Sequence, residues 1–296
     1  MTVSSFLHKV LPQVEPYLEY SSPPPGMIAA GLFFLALVCI GIAADVGVVL
    51  YWIKRPVHSP ELTRRLAFRA LPPPVVLIFF GIVIGFYLLT SWLYMLMFPA
   101  GDIAPHTVIF QTLLFHIPVL TLLGLLFHFA GIQGRELFGL CWNKAAALLG
   151  LSVLFYIAAL PLLWLCSVLY QILLHQFGCD FYLQDIAQIL TAPASWPVRA
   201  SLFFITIIVA PVFEEVVFRG VLLPFMVRRA GFWPGIGLVS VIFGGMHLHL
   251  PSFLPLFLLS VMFSLAYART QSLLVPIGMH ALFNGVTVVL LLLMGG

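Results

Sequence analysis

Apolar runs of about 20 residues recur along this chain, at roughly 27–53, 74–99, 107–132, 145–172, 199–223, 233–250, 251–268 and 273–294. At 1.5 Å of rise per residue, each run is long enough as a helix to cross a hydrocarbon core of about 30 Å. Composition agrees: 62% of the residues are hydrophobic and 8% charged, with a mean hydropathy of +1.13. Soluble domains carry about 25% charged residues, so this chain has too few to cover a globular surface. The expected fold is all-α, a polytopic membrane helical bundle of about eight transmembrane helices with the lipid bilayer as its surroundings. The division between the sixth and seventh runs rests on the turn signal Leu250-Pro251-Ser252 alone.

The basic residues check that count. Alternating the loops puts Lys54, Arg55, Arg64, Arg65, Arg69, Arg135, Lys144, Arg228, Arg229 and Arg269 on one side and leaves Lys9 and Arg199 on the other, with Arg219 inside a span. Such an asymmetry marks the cytoplasmic side and predicts that both termini are non-cytoplasmic. Segment 176–198, with Asp180 and Asp185, becomes the largest outer loop. The expected location is the plasma membrane, the inner membrane of a bacterium. A net charge of +3 is explained by this topology, and no nucleic-acid partner is inferred from it. Residues 1–26 read as a non-cytoplasmic tail with no apolar stretch long enough for a signal-peptide core. Cys39, Cys141, Cys166 and Cys179 lack a C-x-x-C spacing, so neither a disulfide framework nor a zinc site is indicated.

Against this apolar background, Glu214 and Glu215 stand adjacent within a span. Translocon-based scales put an acidic residue at a span centre at about 2.5–3.5 kcal/mol, which makes the pair a functional-site hypothesis. Further polar residues gather in the last four spans: Arg219, His247 with Phe243, nearby His249, and His280 with Asn284. Glu215 and Arg219, Phe243 and His247, and His280 and Asn284 are each four apart and share a helix face. Counting from the flanking cytoplasmic charges puts all three clusters near mid-bilayer. Glu214 is rotated about 100° from Glu215, so the two carboxylates are not expected to face one partner. Each polar residue could alone be a satisfied helix–helix contact, worth about 0.6 kcal/mol. Their shared depth and order argue for one site.

These residues also match a family. Glu214-Glu215-Val216-Val217-Phe218-Arg219 resembles the E-E-x-x-x-R motif of the CPBP family of intramembrane proteases, which includes CAAX prenyl endopeptidases and bacteriocin-processing or immunity proteins. Phe243-Gly244-Gly245-Met246-His247 resembles its F-x-x-x-H motif, and His280-Ala281-Leu282-Phe283-Asn284 its H-x-x-x-N motif. Tyr267-Ala268-Arg269-Thr270-Gln271-Ser272-Leu273 is similar to the Y-x-R-T-x-S-L stretch leading into the third. The resemblance covers about 95 residues, from near 199 to 292, and no motif position is substituted.

The resemblance implies a helical-bundle endopeptidase with its catalytic core in the last four helices. The chain then divides into the tail 1–26, variable transmembrane helices over 27–172 and a protease core over 199–294. The implied roles make Glu214 the general base, His247 its partner on the attacking water, and His280 and Asn284 the stabilisers of the tetrahedral oxyanion. Glu215, Arg219 and Phe243 are supporting residues. The implied substrate is a membrane-associated protein or peptide, and no cofactor is expected. The chemistry agrees: a desolvated carboxyl group can take a proton from water and return it to the leaving amine, and an Asn amide suits a developing oxyanion. Arg219, one turn from Glu215, would hold that second carboxylate, so Glu215→Gln is expected to be a milder lesion than Glu214→Gln.

Three other readings compete. Glu214, His247 and His280 could supply two imidazoles and a carboxylate to zinc, although no H-E-x-x-H is present and three helices would have to contribute. The same fold could serve a non-proteolytic scaffold or immunity protein. Paired acids and histidines also build proton relays in transporters, but no repeat relates the two halves of this chain. His249, taken to lie on the same helix as His247, should point about 200° away as an interfacial decoy. His116 and His128 are expected to be helix–helix contacts, Asp45 to pair with a loop cation or reach water, and Trp52, Trp196 and Trp233 to anchor span ends at the interface.

Overall fold

The computed structural model describes residues 25–54, 60–98, 105–179, 182, 184–191 and 194–295. All secondary structure among them is helical. The elements are α1 (Pro25–Lys54), α2 (Pro60–Phe68), α3 (Pro73–Met97), α4 (Pro105–Phe129), the single turn α5 (Gly134–Leu137), α6 (Ala145–Gln176), α7 (Asp185–Thr191), α8 (Trp196–Ala230), α9 (Phe232–Met246), α10 (Leu250–Thr270) and α11 (Leu274–Gly295). The tail carrying Lys9, the Trp52 side chain and Asp180 lie outside the described residues.

Seven of these helices are long and apolar enough to cross a membrane, and the chain is an integral multi-pass membrane protein. The exception is the sixth expected span. In place of a helix over 233–250, α9 stops at Met246 after 15 residues, about 22 Å of rise and short of a full hydrocarbon crossing. The break falls at His247–His249, before the Pro251 signal, where Leu248 takes a left-handed φ of 48°. Met246 and Leu248 are both exposed there.

α6 is the central strut, packed along α1, α10 and α11, while α9 packs between the end of α8 and α10. Two glycines permit close approaches to α6. A Cβ at Gly41 on α1 would lie 2.5 Å from the Ile157 carbonyl oxygen of α6, and one at Gly278 on α11 would lie 2.5 Å from Ser152 Oγ. Small residues of this kind bring membrane helices together where no hydrophobic driving force acts between them. Gly278 is two residues from His280, so this contact also sets the depth of α11 against α6.

α8 is continuous but not uniform. Ile205–Val209 and Val216–Leu222 are π-helical and flank the α-helical turn Ala210–Glu215. Pro211 and Pro224 follow each widened segment within two residues. Proline lacks an N–H and its ring crowds the carbonyl four residues back, so widening the preceding turn relieves both defects. Glu214 and Glu215 therefore project from a short regular turn held between two widened ones.

The stretch Tyr267–Leu273 builds the turn from α10 to α11. Gln271 is left-handed at φ 55°, Leu273 N–H donates to the Phe138 carbonyl oxygen at 2.9 Å, and the Tyr267 hydroxyl meets Arg69 Nη1 at 3.1 Å. This turn thereby ties α11, α5 and the end of α2 to one end of the bundle.

Candidate active site

α8, α9, α10 and α11 each contribute to one buried cluster. Arg219 is fully buried, and its Nη1 donates to Glu215 Oε1 at 2.9 Å while its Nη2 donates to Ser260 Oγ at 2.8 Å and to the Ser260 carbonyl oxygen at 3.2 Å. The guanidinium carbon lies 4.6 Å from the Phe243 ring centroid, 5.1 Å from Phe263 and 5.8 Å from Phe218. A desolvated cation facing aromatic rings gains on the order of 2 kcal/mol from each well-placed face. Pairing and cage together offset the cost of burying the charge.

His280 crosses from α11 and reaches both glutamates. Its Nδ1 is 2.9 Å from Glu215 Oε1, and its Nε2 is 3.9 Å from Glu214 Oε2. The carboxylates therefore do share a partner, contrary to the 100° argument. An imidazole presents nitrogens on two edges, so one ring can address two neighbouring side chains that diverge around the helix. Glu215 is held by His280 as well as by Arg219, with Oε1 as the common acceptor.

The two glutamates differ in access. Glu215 is fully buried, whereas 25% of the Glu214 side chain is exposed. Glu214 Oε2 has no hydrogen-bond partner, because 3.9 Å is too long for a direct bond.

His247 stands at the C-cap of α9, not inside a span as expected. Its Nδ1 lies 2.8 Å from the Phe243 carbonyl oxygen, so that nitrogen carries the proton and Nε2 of the neutral ring is the basic one. Phe243 joins the histidines: its ring centroid is 5.0 Å from that of His247 and 5.9 Å from that of His280. Asn284, one turn beyond His280, donates through Nδ2 to the Thr206 carbonyl oxygen at 2.8 Å. That acceptor lies within the first π-helical segment of α8, and Asn284 and Thr206 both line an adjoining cavity of about 370 Å³.

His249 is not the decoy expected on the helix of His247. Because α9 has already ended, His249 becomes the N-cap residue of α10 and is buried, with Nδ1 2.8 Å from Ser252 Oγ and Nε2 2.9 Å from the Tyr182 carbonyl oxygen. His116 does make a helix–helix contact, edge-on to Phe213 at 4.8 Å. Asp45 lines an apolar cavity of about 380 Å³ together with Arg269. Trp196 and Trp233 sit exposed at the starts of α8 and α9.

Ser260, Phe263 and Thr206 were not singled out from sequence. Ser260 left a faint signal, since Ser260 and Ser264 are one turn apart on an apolar helix and both are fully buried. The Thr206 partner atom is a backbone carbonyl and leaves none. Among the described residues no group of three His, Cys, Asp or Glu side chains is gathered as a metal site.

Comparison with known proteins bears on the same region. Residues 195–286 match the family described as type II CAAX prenyl endopeptidase Rce1-like. The chain is also 28% identical over 143 residues to a Bacillus subtilis (strain 168) protein named "Putative membrane peptidase YdiL". That alignment covers 48% of this chain and 57% of the relative, so the chain spans little more than half of the curated relative's length. No solved structure matches. Together these matches support a CPBP family protein.

Proposed function

We propose that this chain is an intramembrane endopeptidase that hydrolyses peptide bonds of membrane-associated or lipidated proteins or peptides, with water activated by Glu214. The observation that carries this reading is the unequal state of the two glutamates. Each carboxylate has an Oε2 without a hydrogen-bond partner, but Glu215 is fully buried and held through Oε1 by Arg219 and His280, while the Glu214 side chain is 25% exposed beside His280 Nε2.

In this mechanism Glu214 removes a proton from water as the oxygen attacks the scissile carbonyl carbon. His247, basic at Nε2, helps hold that water. The carbonyl π bond opens to an oxyanion, which is stabilised by His280 and Asn284. Donation from His280 Nε2 requires a proton there in addition to the one on Nδ1, and Glu214 and Glu215 together then balance the charges of His280 and Arg219. Collapse of the intermediate breaks the C–N bond, and Glu214 returns its proton to the leaving amine. Asn284 would exchange its Thr206 contact for the oxyanion or share the amide's second N–H. The family match and the relative's name support peptidase chemistry at this site.

The test is peptide cleavage by the purified full-length protein in liposomes, using a panel of membrane-tethered peptides with and without lipid modification. Cleavage that persists in EDTA is expected. Loss with chelator that zinc restores would overturn carboxylate-only activation of water, and absence of cleavage across the panel would overturn the peptidase assignment.

A further inference from the structure

We propose that the pocket formed by Arg64, Arg65, Phe68, Arg69 and Gln271 is a binding site for the headgroup of an anionic phospholipid. The pocket encloses about 470 Å³, enough for a phosphate ester and part of its glycerol. Its walls come from separate elements. Arg64, Arg65 and Phe68 lie on α2, Arg69 directly follows it, and Gln271 begins the turn after α10.

Two of the arginines are on open surface, with side chains 79% exposed at Arg64 and 60% at Arg65. The third is held in place: Arg69 Nη1 meets the buried Tyr267 hydroxyl at 3.1 Å, and its guanidinium lies 5.7 Å from that ring's centroid. Glu61 is the acidic side chain within reach, 2.7 Å from Arg64 Nη2 and from Arg65 Nε. Hydrogen bonds from these two guanidiniums hold its carboxyl below the usual carboxylate range, so it is ionised at neutral pH and offsets one of the three charges. A net charge of two remains for a ligand. Arginine's planar fork is suited to bidentate recognition of phosphate.

Position favours a lipid over a soluble phosphate. α2 connects two membrane-crossing helices, and Pro73, the first residue of α3, is five residues beyond Phe68. Phe68 is 90% exposed at the rim of the pocket. At the membrane interface that ring can enter the acyl boundary while the neighbouring guanidiniums stay at headgroup level. Leu62 and Leu66, on the other face of α2, are buried and anchor the helix to the end of α8 and to α10.

The test measures lipid retained by full-length protein purified from nanodiscs of phosphatidylcholine with one-fifth phosphatidylglycerol. Phosphatidylglycerol should be enriched severalfold over its one-fifth bulk fraction, and Arg64→Ala/Arg65→Ala should return the retained lipid to about that bulk fraction. Arg228→Ala/Arg229→Ala, which removes two exposed arginines from the end of α8 outside the pocket, should leave the enrichment unchanged. Equal loss in both double variants would reduce the effect to diffuse surface charge and overturn the site. No enrichment in the wild type would do the same. Displacement of the lipid by millimolar inorganic phosphate would reassign the pocket to a soluble anion.

Discussion

His280 Nδ1 lies 2.9 Å from Glu215 Oε1, and this bond joins the last helix of the bundle to the helix that carries both glutamates. The same oxygen accepts from Arg219 at 2.9 Å, so Glu215 is the hub of a buried network in which every member is at most 4% exposed. The following outcomes depend on that arrangement.

Glu215→Gln should damage the fold. It leaves the Arg219 guanidinium fully buried without its counter-ion, and breaking a buried pair typically costs about 3–5 kcal/mol. Glu214→Gln removes no hydrogen bond from this network and should leave stability within about 1 kcal/mol of wild type. Thermal unfolding of both variants in the same detergent measures the contrast. It replaces the expectation that Glu215→Gln is the milder change, which now applies to neither stability nor the placing of His280.

Ser260→Ala removes the hydroxyl that accepts from Arg219 Nη2 at 2.8 Å. The Ser260 carbonyl remains within 3.2 Å, so the loss should be partial, about 1–3 kcal/mol for a hydrogen bond to a charged group. Ser260→Thr keeps the hydroxyl and should recover part of that loss in the same unfolding assay.

Gly278→Leu should disturb both stability and the site. Any Cβ at this position meets Ser152 Oγ and Cβ on α6, and overpacking typically costs about 1–3 kcal/mol. Because α11 must move to admit the side chain, His280 should lose its register with Glu215. A fall in melting temperature together with a fall in activity is expected, whereas Gly285→Ala, whose nearest neighbour atom is 3.9 Å away, should be tolerated.

Asn284→Ala separates a structural role from a catalytic one. Loss of the bond to the Thr206 carbonyl should cost about 0.6 kcal/mol of stability, the average for a side-chain hydrogen bond between membrane helices. Loss of an oxyanion donor should in addition lower kcat by about 10²- to 10³-fold with little change in KM. An unchanged kcat would leave only the helix–helix contact.

The identity of the clustered residues was legible because carboxylates, arginine and histidines are conspicuous among apolar helices, and because the i, i+4 spacings assign each pair to one face. The arrangement among them was less legible. Sequence periodicity assumes uniform helices, but α8 widens ahead of Pro211 and Pro224, and α9 ends after Met246. That early end moved His247 to a helix terminus and His249 onto the next helix, where it bonds Tyr182. The break turns on a left-handed leucine, and leucine gives no warning of a positive φ as glycine or asparagine would. Partners that are backbone carbonyls, such as Phe243 for His247 and Thr206 for Asn284, are independent of residue type. The aromatic cage around Arg219 was visible in retrospect only at Phe243, since Phe218 and Phe263 are two of 27 phenylalanines in the chain.

In the proposed mechanism everything downstream depends on Glu214 activating the attacking water. The most direct test is the single-turnover rate of peptide cleavage by folded Glu214→Gln protein in liposomes, measured beside the wild type at matched melting temperature. That variant should be as stable as wild type, with a cleavage rate lower by at least about 10²-fold, as expected on losing a positioned general base. Cleavage at the wild-type rate would rule Glu214 out as the activating base.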